Sequence, residues 1–176
     1  MKTALLLVDI QNDYFPGGKM ELSGSQEAAE KAAAVLAEFR TKNLPVIHIQ
    51  HIAARPGATF FLPGTAGIEF HESVKPVEGE AVFQKHFPNS FRNTPLLDHL
   101  RTLEIGRLVI CGMMTHMCID TTTRAAWDHG FVCTLIGNAC ATRSLSINGK
   151  TISAEDVHNS FLAALNGTFA EVTETF

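Results

Sequence analysis

Four short, largely apolar runs constrain this chain more than any other feature: Thr3–Val8, Val46–Gln50, Leu108–Cys111 and Phe131–Ile136. The first, Thr-Ala-Leu-Leu-Leu-Val, has no polar alternation at all. A strand of that kind must be covered on both faces, the condition of a parallel sheet held between helices. Helical patterns separate the runs. Ala29, Ala32, Ala33, Leu36 and Phe39 recur at helical spacing over Ser25 to Lys42, with Ser25 able to cap and Pro45 as the break. Thr94-Pro95 opens a helix to about Glu104, with Thr94 as cap and proline at its first position. A further helix is expected over 116–129, and Ser153 caps a last one to about Asn166. Ala81–Gln84 adds a short strand and Phe169–Val172 a closing edge strand. The alternation predicts an α/β fold, three layers (α/β/α) around a central, mostly parallel sheet, in a single domain over residues 1–176.

Composition narrows the function classes. The net charge of −4 carries no basic stripe, so neither nucleic acid nor an anionic membrane surface is an expected partner. The N-terminal apolar run is too short for a signal peptide or a membrane span, which makes a cytoplasmic location the expectation. Cys111, Cys118, Cys133 and Cys140 are spaced seven, fifteen and seven apart, unlike a zinc pattern, and disulfides are not expected in that compartment. Cys111 and Cys133 read as small apolar strand residues, and Cys140 as a loop residue without an assigned role.

Cys118 has a different setting. Leu108–Cys111 ends in a glycine-led turn, Gly112-Met113-Met114-Thr115-His116-Met117, and a helix-forming stretch follows Cys118. At the first turn of a helix the dipole favours an anion, so the thiol is expected to ionise more readily than usual. Ligand sites in open parallel sheets lie beyond the carboxyl ends of the strands. Asp9, Lys85 and Cys118 each stand just past the end of an expected strand. Singly, each has an ordinary reading: a loop-capping carboxylate, a solvated lysine, a buried structural cysteine. Together they supply a base, a positive charge and a nucleophile for attack on a carbonyl, with loss of ammonia or an amine. Backbone N–H groups of Met114 and Cys118 are candidate oxyanion donors.

Leu5-Leu6-Leu7-Val8-Asp9-Ile10-Gln11-Asn12-Asp13-Tyr14, Lys85 after its short strand, and Gly112 to Cys118 resemble, in order along the chain, the isochorismatase-like cysteine hydrolases. That superfamily includes nicotinamidases, N-carbamoylsarcosine amidases and ureidoacrylate hydrolases. The resemblance implies a catalytic triad of Asp9, Lys85 and Cys118, a cis peptide between Met113 and Met114, and a homo-oligomer. One departure bears on a metal. The nicotinamidases carry an Asp-x-His motif after the second strand, where this chain has Gln50-His51-Ile52 with no carboxylate. His48 and His51 should point to opposite faces of an extended segment, with no acidic ligand expected nearby. Neither a metal nor another cofactor is therefore expected. The isochorismate hydrolases cleave a vinyl ether and can do without the cysteine, which is present here.

The expectation is a metal-independent hydrolase of a small amide or ureide acting through a Cys118 thioester. Nicotinamidase or isochorismatase activity, and a non-catalytic binding or scaffold role, stand as alternatives. The long segment from His51 to Gly79, rich in aromatics and glycine, is expected to shape the pocket. Phe15 and Phe61 are the expected apolar substrate contacts. His51 is a further candidate, and Asn12 and Asn89 are candidates for polar contacts or for turn roles.

Overall fold

The computed structural model describes all 176 residues. Its main sheet has six parallel strands in the order β3-β2-β1-β4-β5-β8: β1 Lys2–Val8, β2 Val46–His51, β3 Ala81–Lys85, β4 Ile105–Met113, β5 Val132–Ala141 and β8 Glu171–Thr173. Four helices cover it: α1 Ser25–Thr41, α2 Leu96–Thr102, α3 Asp120–Asp128 and α4 Ala154–Leu165. β1 shows why the apolar runs demand this arrangement. Leu5 and Leu7 enter one core with Ala32, Leu36 and Phe39 of α1, while Ala4, Leu6 and Val8 enter a second with Leu96, Leu100 and Ala126 of α2 and α3. The chain leaves β1 toward β2 and β3, then returns to build β4 and β5 on its other side. That reversal puts a crevice at the carboxyl ends of β1 and β4. No helix is long and apolar enough to cross a membrane.

Several local expectations change. Ser25 is the first residue of α1 and caps nothing with its side chain; Gly24, at φ 70°, holds the cap position. Pro95 occupies the cap position of α2; Thr94, one residue earlier, donates its hydroxyl to Ser90 O at 2.6 Å and accepts from the Leu96 N–H at 3.4 Å. The stretch expected as helix from 116 opens as a π-type turn, Thr115–Ile119, before α3 begins at Asp120. β5 continues past Gly137 to Ala141, so Cys140 lies in a strand, paired with Gly112 of β4, and not in a loop. Residues 145–152 form a separate hairpin, β6 Leu145–Ile147 with β7 Lys150–Ile152, that no periodicity announced. Ser153 caps α4 as expected, accepting from the Asp156 N–H at 3.0 Å.

Candidate active site

Three strand ends build the site. Asp9 follows β1 in a left-handed conformation (φ 54°), a costly backbone state for a residue with a side chain. It is fully buried, and its N–H is held by Ile49 O at 3.0 Å. Lys85 ends β3, and Cys118 sits in the turn after β4. The Lys85 ammonium, also buried, shares its three N–H donors among four acceptors: Asp9 Oδ2 at 2.7 Å, His51 Nδ1 at 2.9 Å, Phe87 O at 3.1 Å and Cys118 Sγ at 3.2 Å. Four acceptors around one cation explain how the interior tolerates it. The second carboxylate oxygen, Asp9 Oδ1, is buried with no hydrogen-bond partner.

The charges respond to one another. Burial alone would lower the lysine pKa, but Asp9 and Cys118 outweigh it and raise the value, so Lys85 stays an ammonium. Burial pushes the Cys118 thiol up, the Asp9 charge pushes it further, and Lys85 only partly opposes them. The expected fall in thiol pKa is thus reversed. Cys118 lies in a buried π-type turn beside a carboxylate, so the resting sulfur carries its proton. Burial holds His51 down to about 4, with Lys85 adding to the effect and Asp9 opposing it. His51 is therefore neutral and accepts from Lys85 through Nδ1.

Close to Cys118, the Met113–Met114 peptide is cis. Met114, between β4 and the turn, donates its N–H to no backbone carbonyl. Gly112 allows the approach of β4 to β1 at this point: it takes φ 134°, and a Cβ there would lie 2.0 Å from Val8 O. Cys118, His51, Phe61 and Met114 line a largely apolar cavity of about 160 Å³ together with Tyr14 and Phe60. His86 is on the same wall, its Nδ1 2.8 Å from Ile52 O.

Of the expected substrate contacts, Phe61 and His51 face this cavity, whereas Phe15, Asn12 and Asn89 do not. Phe15 is buried in the core and stacks on His71 at a centroid distance of 3.7 Å. The Asn12 side chain donates to Ala66 O at 3.1 Å, bracing the long loop from outside. Asn89 Oδ1 accepts from the Phe91 N–H at 2.8 Å, a turn contact.

Two buried polar residues that sequence reasoning passed over hold the loop in place. Gln11 donates to His51 O and Ile68 O at 2.9 and 2.8 Å and accepts from the His51 N–H at 2.7 Å. Asp13 accepts from the Phe61 N–H at 2.6 Å, fixing Phe61 at φ 56°, and a Cβ on Gly67 would strike its carboxylate at 2.3 Å. The available signal was three adjacent polar residues, Gln11-Asn12-Asp13, shortly after the apolar run Ala4–Val8.

The expectation that no acidic group lies near the histidines is also corrected. Glu80 is 2.8 Å from His48 Nε2, and Asp9 is 3.8 Å from His51 Nδ1. Ligand-type atoms of Asp9, His51 and Cys118 lie within 4.8 Å of one another. They converge on the Lys85 ammonium, however, and the Glu80 carboxylate is taken by Arg40. A divalent cation at the first cluster would sit against a fixed positive charge, so this donor set does not fit a metal.

Comparison with known proteins agrees with this architecture. The family model described as Isochorismatase domain matches residues 3–175. The chain is 53% identical to the uncharacterized isochorismatase family protein YddQ of Bacillus subtilis, over 99% of this chain and 97% of that protein. It is 30% identical to a streptothricin hydrolase of Streptomyces noursei, over 96% of this chain and 58% of that enzyme. It is 30% identical to the nicotinamidase/pyrazinamidase of Mycobacterium tuberculosis, over 72% of this chain and 80% of that enzyme. A crystal structure from Oleispira antarctica, assigned to the isochorismatase hydrolases, superposes with a TM-score of 0.94 at 50% identity, covering 98% of this chain and 92% of the other.

Proposed function

This chain belongs to the isochorismatase family of hydrolases, and we propose that within it the chain is a metal-independent cysteine amidohydrolase of a small amide or ureide. The observation that carries the reading is the Lys85 ammonium bound at once to Asp9 and Cys118, beside a carboxylate oxygen left without a partner. The named relatives support the substrate class, since a nicotinamidase acts on a small aromatic amide.

In the proposed cycle the substrate carbonyl lies over Cys118 Sγ with its oxygen toward the Met114 and Cys118 N–H groups. The thiol passes its proton to Asp9 Oδ1 as sulfur attacks, so the nucleophile forms only when a carbonyl is in place. This ordering follows from the raised thiol pKa. Lys85 remains charged and steadies both anions. Collapse of the tetrahedral intermediate returns the proton from Asp9 to the departing nitrogen and leaves a thioester on Cys118. Asp9 then deprotonates a water that attacks the thioester, giving the acid and restoring the thiol. Each backbone donor that the oxyanion loses would cost ~3 kcal/mol of transition-state stabilisation.

The test is ammonia release from a panel of small amides and ureides, with wild type beside Cys118→Ala and with or without chelator. Release by wild type alone, unchanged by chelator, is the expected result. Equal release by the variant removes the thioester mechanism, and loss of release with chelator removes metal independence. The family resemblance extends the reading to a homo-oligomer, which light scattering on the purified chain checks.

A further inference from the structure

Tyr14 is the one tyrosine of the chain, at the end of the short turn Asn12–Tyr14 that follows β1. Its side chain is 1% exposed and packs against Phe60 and Phe61 at centroid distances of 5.9 and 4.7 Å. For packing alone a third phenylalanine would serve, because the neighbours are apolar rings. The hydroxyl makes no hydrogen bond to any protein group, yet the residue lines the cavity that holds Cys118. At the cavity wall the hydroxyl is left to water or to whatever occupies that space. Burial, with Cys118 and Asp9 nearby, keeps the phenol ionisation well above its ordinary value, so the group is a permanent O–H donor.

The proposed attack geometry leaves one role open for that donor. The carbonyl oxygen faces the Met114 and Cys118 N–H groups, and the scissile nitrogen faces Asp9. The third substituent on the carbonyl carbon, the acyl group, is then left to the wall formed by Tyr14, Phe60 and Phe61. Resting on the amidohydrolase reading, we propose that the Tyr14 hydroxyl is the specificity-determining donor for the acyl half of the substrate. The preferred substrates are small amides or ureides whose acyl group carries an acceptor nitrogen or oxygen, in preference to their carbon isosteres.

Two measurements test this independently. In the first, Cys118→Ala protein is labelled with 3-fluorotyrosine, which places a single fluorine reporter at Tyr14. It is titrated with matched pairs: pyridine-3-carboxamide against benzamide, and succinamate against 4-methylpentanamide. The fluorine resonance should move with the acceptor-bearing member of at least one pair and stay in place with its isostere. In the second, Tyr14→Phe is compared with wild type for kcat/KM on the same pairs. The wild-type preference for the acceptor-bearing member, roughly 10- to 100-fold, should fall below about threefold. The melting temperature of Tyr14→Phe should hold, since the hydroxyl bonds no protein group.

A resonance indifferent to every amide overturns the proposal. So does an equal loss on both members of each pair, or a lowered melting temperature, either of which marks a structural hydroxyl. If no amide is turned over by wild type, the amidohydrolase reading fails by itself, and the fluorine titration still decides the role of Tyr14.

Discussion

Two ionic clusters hang from the same strand, and only one of them, the fully buried one, has a thiol and a cavity beside it. His48 and His51, three residues apart on β2, point to opposite faces. On the His48 side, Glu80 accepts from Arg40 Nε and Nη2 at 2.7 and 2.8 Å, from the Val77 N–H at 3.1 Å, and pairs with His48 Nε2 at 2.8 Å. Both of its oxygens are engaged, and the cluster ties the last turn of α1 to β2 and to the approach to β3. On the His51 side the cation is saturated instead, while the carboxylate keeps Oδ1 free and a thiol and a cavity stand beside it. Similar groups therefore serve differently, and their burial differs too: the Asp9–Lys85 pair is fully buried, whereas the Arg40 side chain is a third exposed. A carboxylate bonded at both oxygens is a tie, and one half-bonded beside a pocket can take a proton.

The comparison breaks most sharply at the two carboxylates. Asp9→Asn removes the proposed proton acceptor and should lower kcat/KM for amide hydrolysis by ~10⁴-fold, the scale seen when an active-site carboxylate is neutralised. Unchanged circular dichroism would separate this from unfolding, and a loss below tenfold would refute the role. Glu80→Ala should do the reverse. It removes the partner of Arg40 and His48 and should cost about 2 kcal/mol in denaturant unfolding, with kcat/KM kept within about threefold.

The histidines sharpen the contrast through pH. The folded pKa of His51 is depressed to about 4 from an ordinary 6.5, so between those values the unfolded chain binds a proton that the folded chain refuses. Stability from this group is present above about pH 6.5 and is lost as pH falls toward 4. The loss is about 2 kcal/mol after allowing for partial exposure of the ring. Unfolding of His51→Gln followed from pH 7 to 4 should show a correspondingly flatter slope; an unaltered slope would place the titration elsewhere. The smallest effect is expected at Asn89. Because its amide oxygen serves the Phe91 N–H, Asn89→Ala should cost under about 1 kcal/mol and leave kcat/KM within about twofold. A large rise in KM would return it to the substrate.

Asp9, Lys85 and Cys118 were legible because each follows a strand that apolar content alone identifies, and a parallel sheet gathers its strand ends at one edge. The lining of the pocket was not. Gln11 reaches Ile68 O, fifty-seven positions away, and Asp13 reaches the Phe61 N–H, forty-eight away. No local pattern encodes which backbone groups a loop will bring back to a buried amide or carboxylate. Phe15 and Phe61 looked equivalent for the same reason. Both are aromatic and both lie in loops, yet one is stacked into the core against His71 and the other is turned into the cavity.

The sequence by itself determined the layered, mostly parallel sheet and the three chemical groups at its strand ends, because apolar periodicity and strand termination are local properties of the chain. Tertiary structure alone decided the protonation of those groups and the shape offered to a substrate. Helix-terminus reasoning predicted an easily ionised thiol; complete burial against Asp9 reversed it, since desolvation and neighbouring charge depend on what is packed around an atom and not on its place in the chain. The same packing left Asp9 with an unpartnered oxygen, and set Tyr14 on the wall of the cavity that holds Cys118.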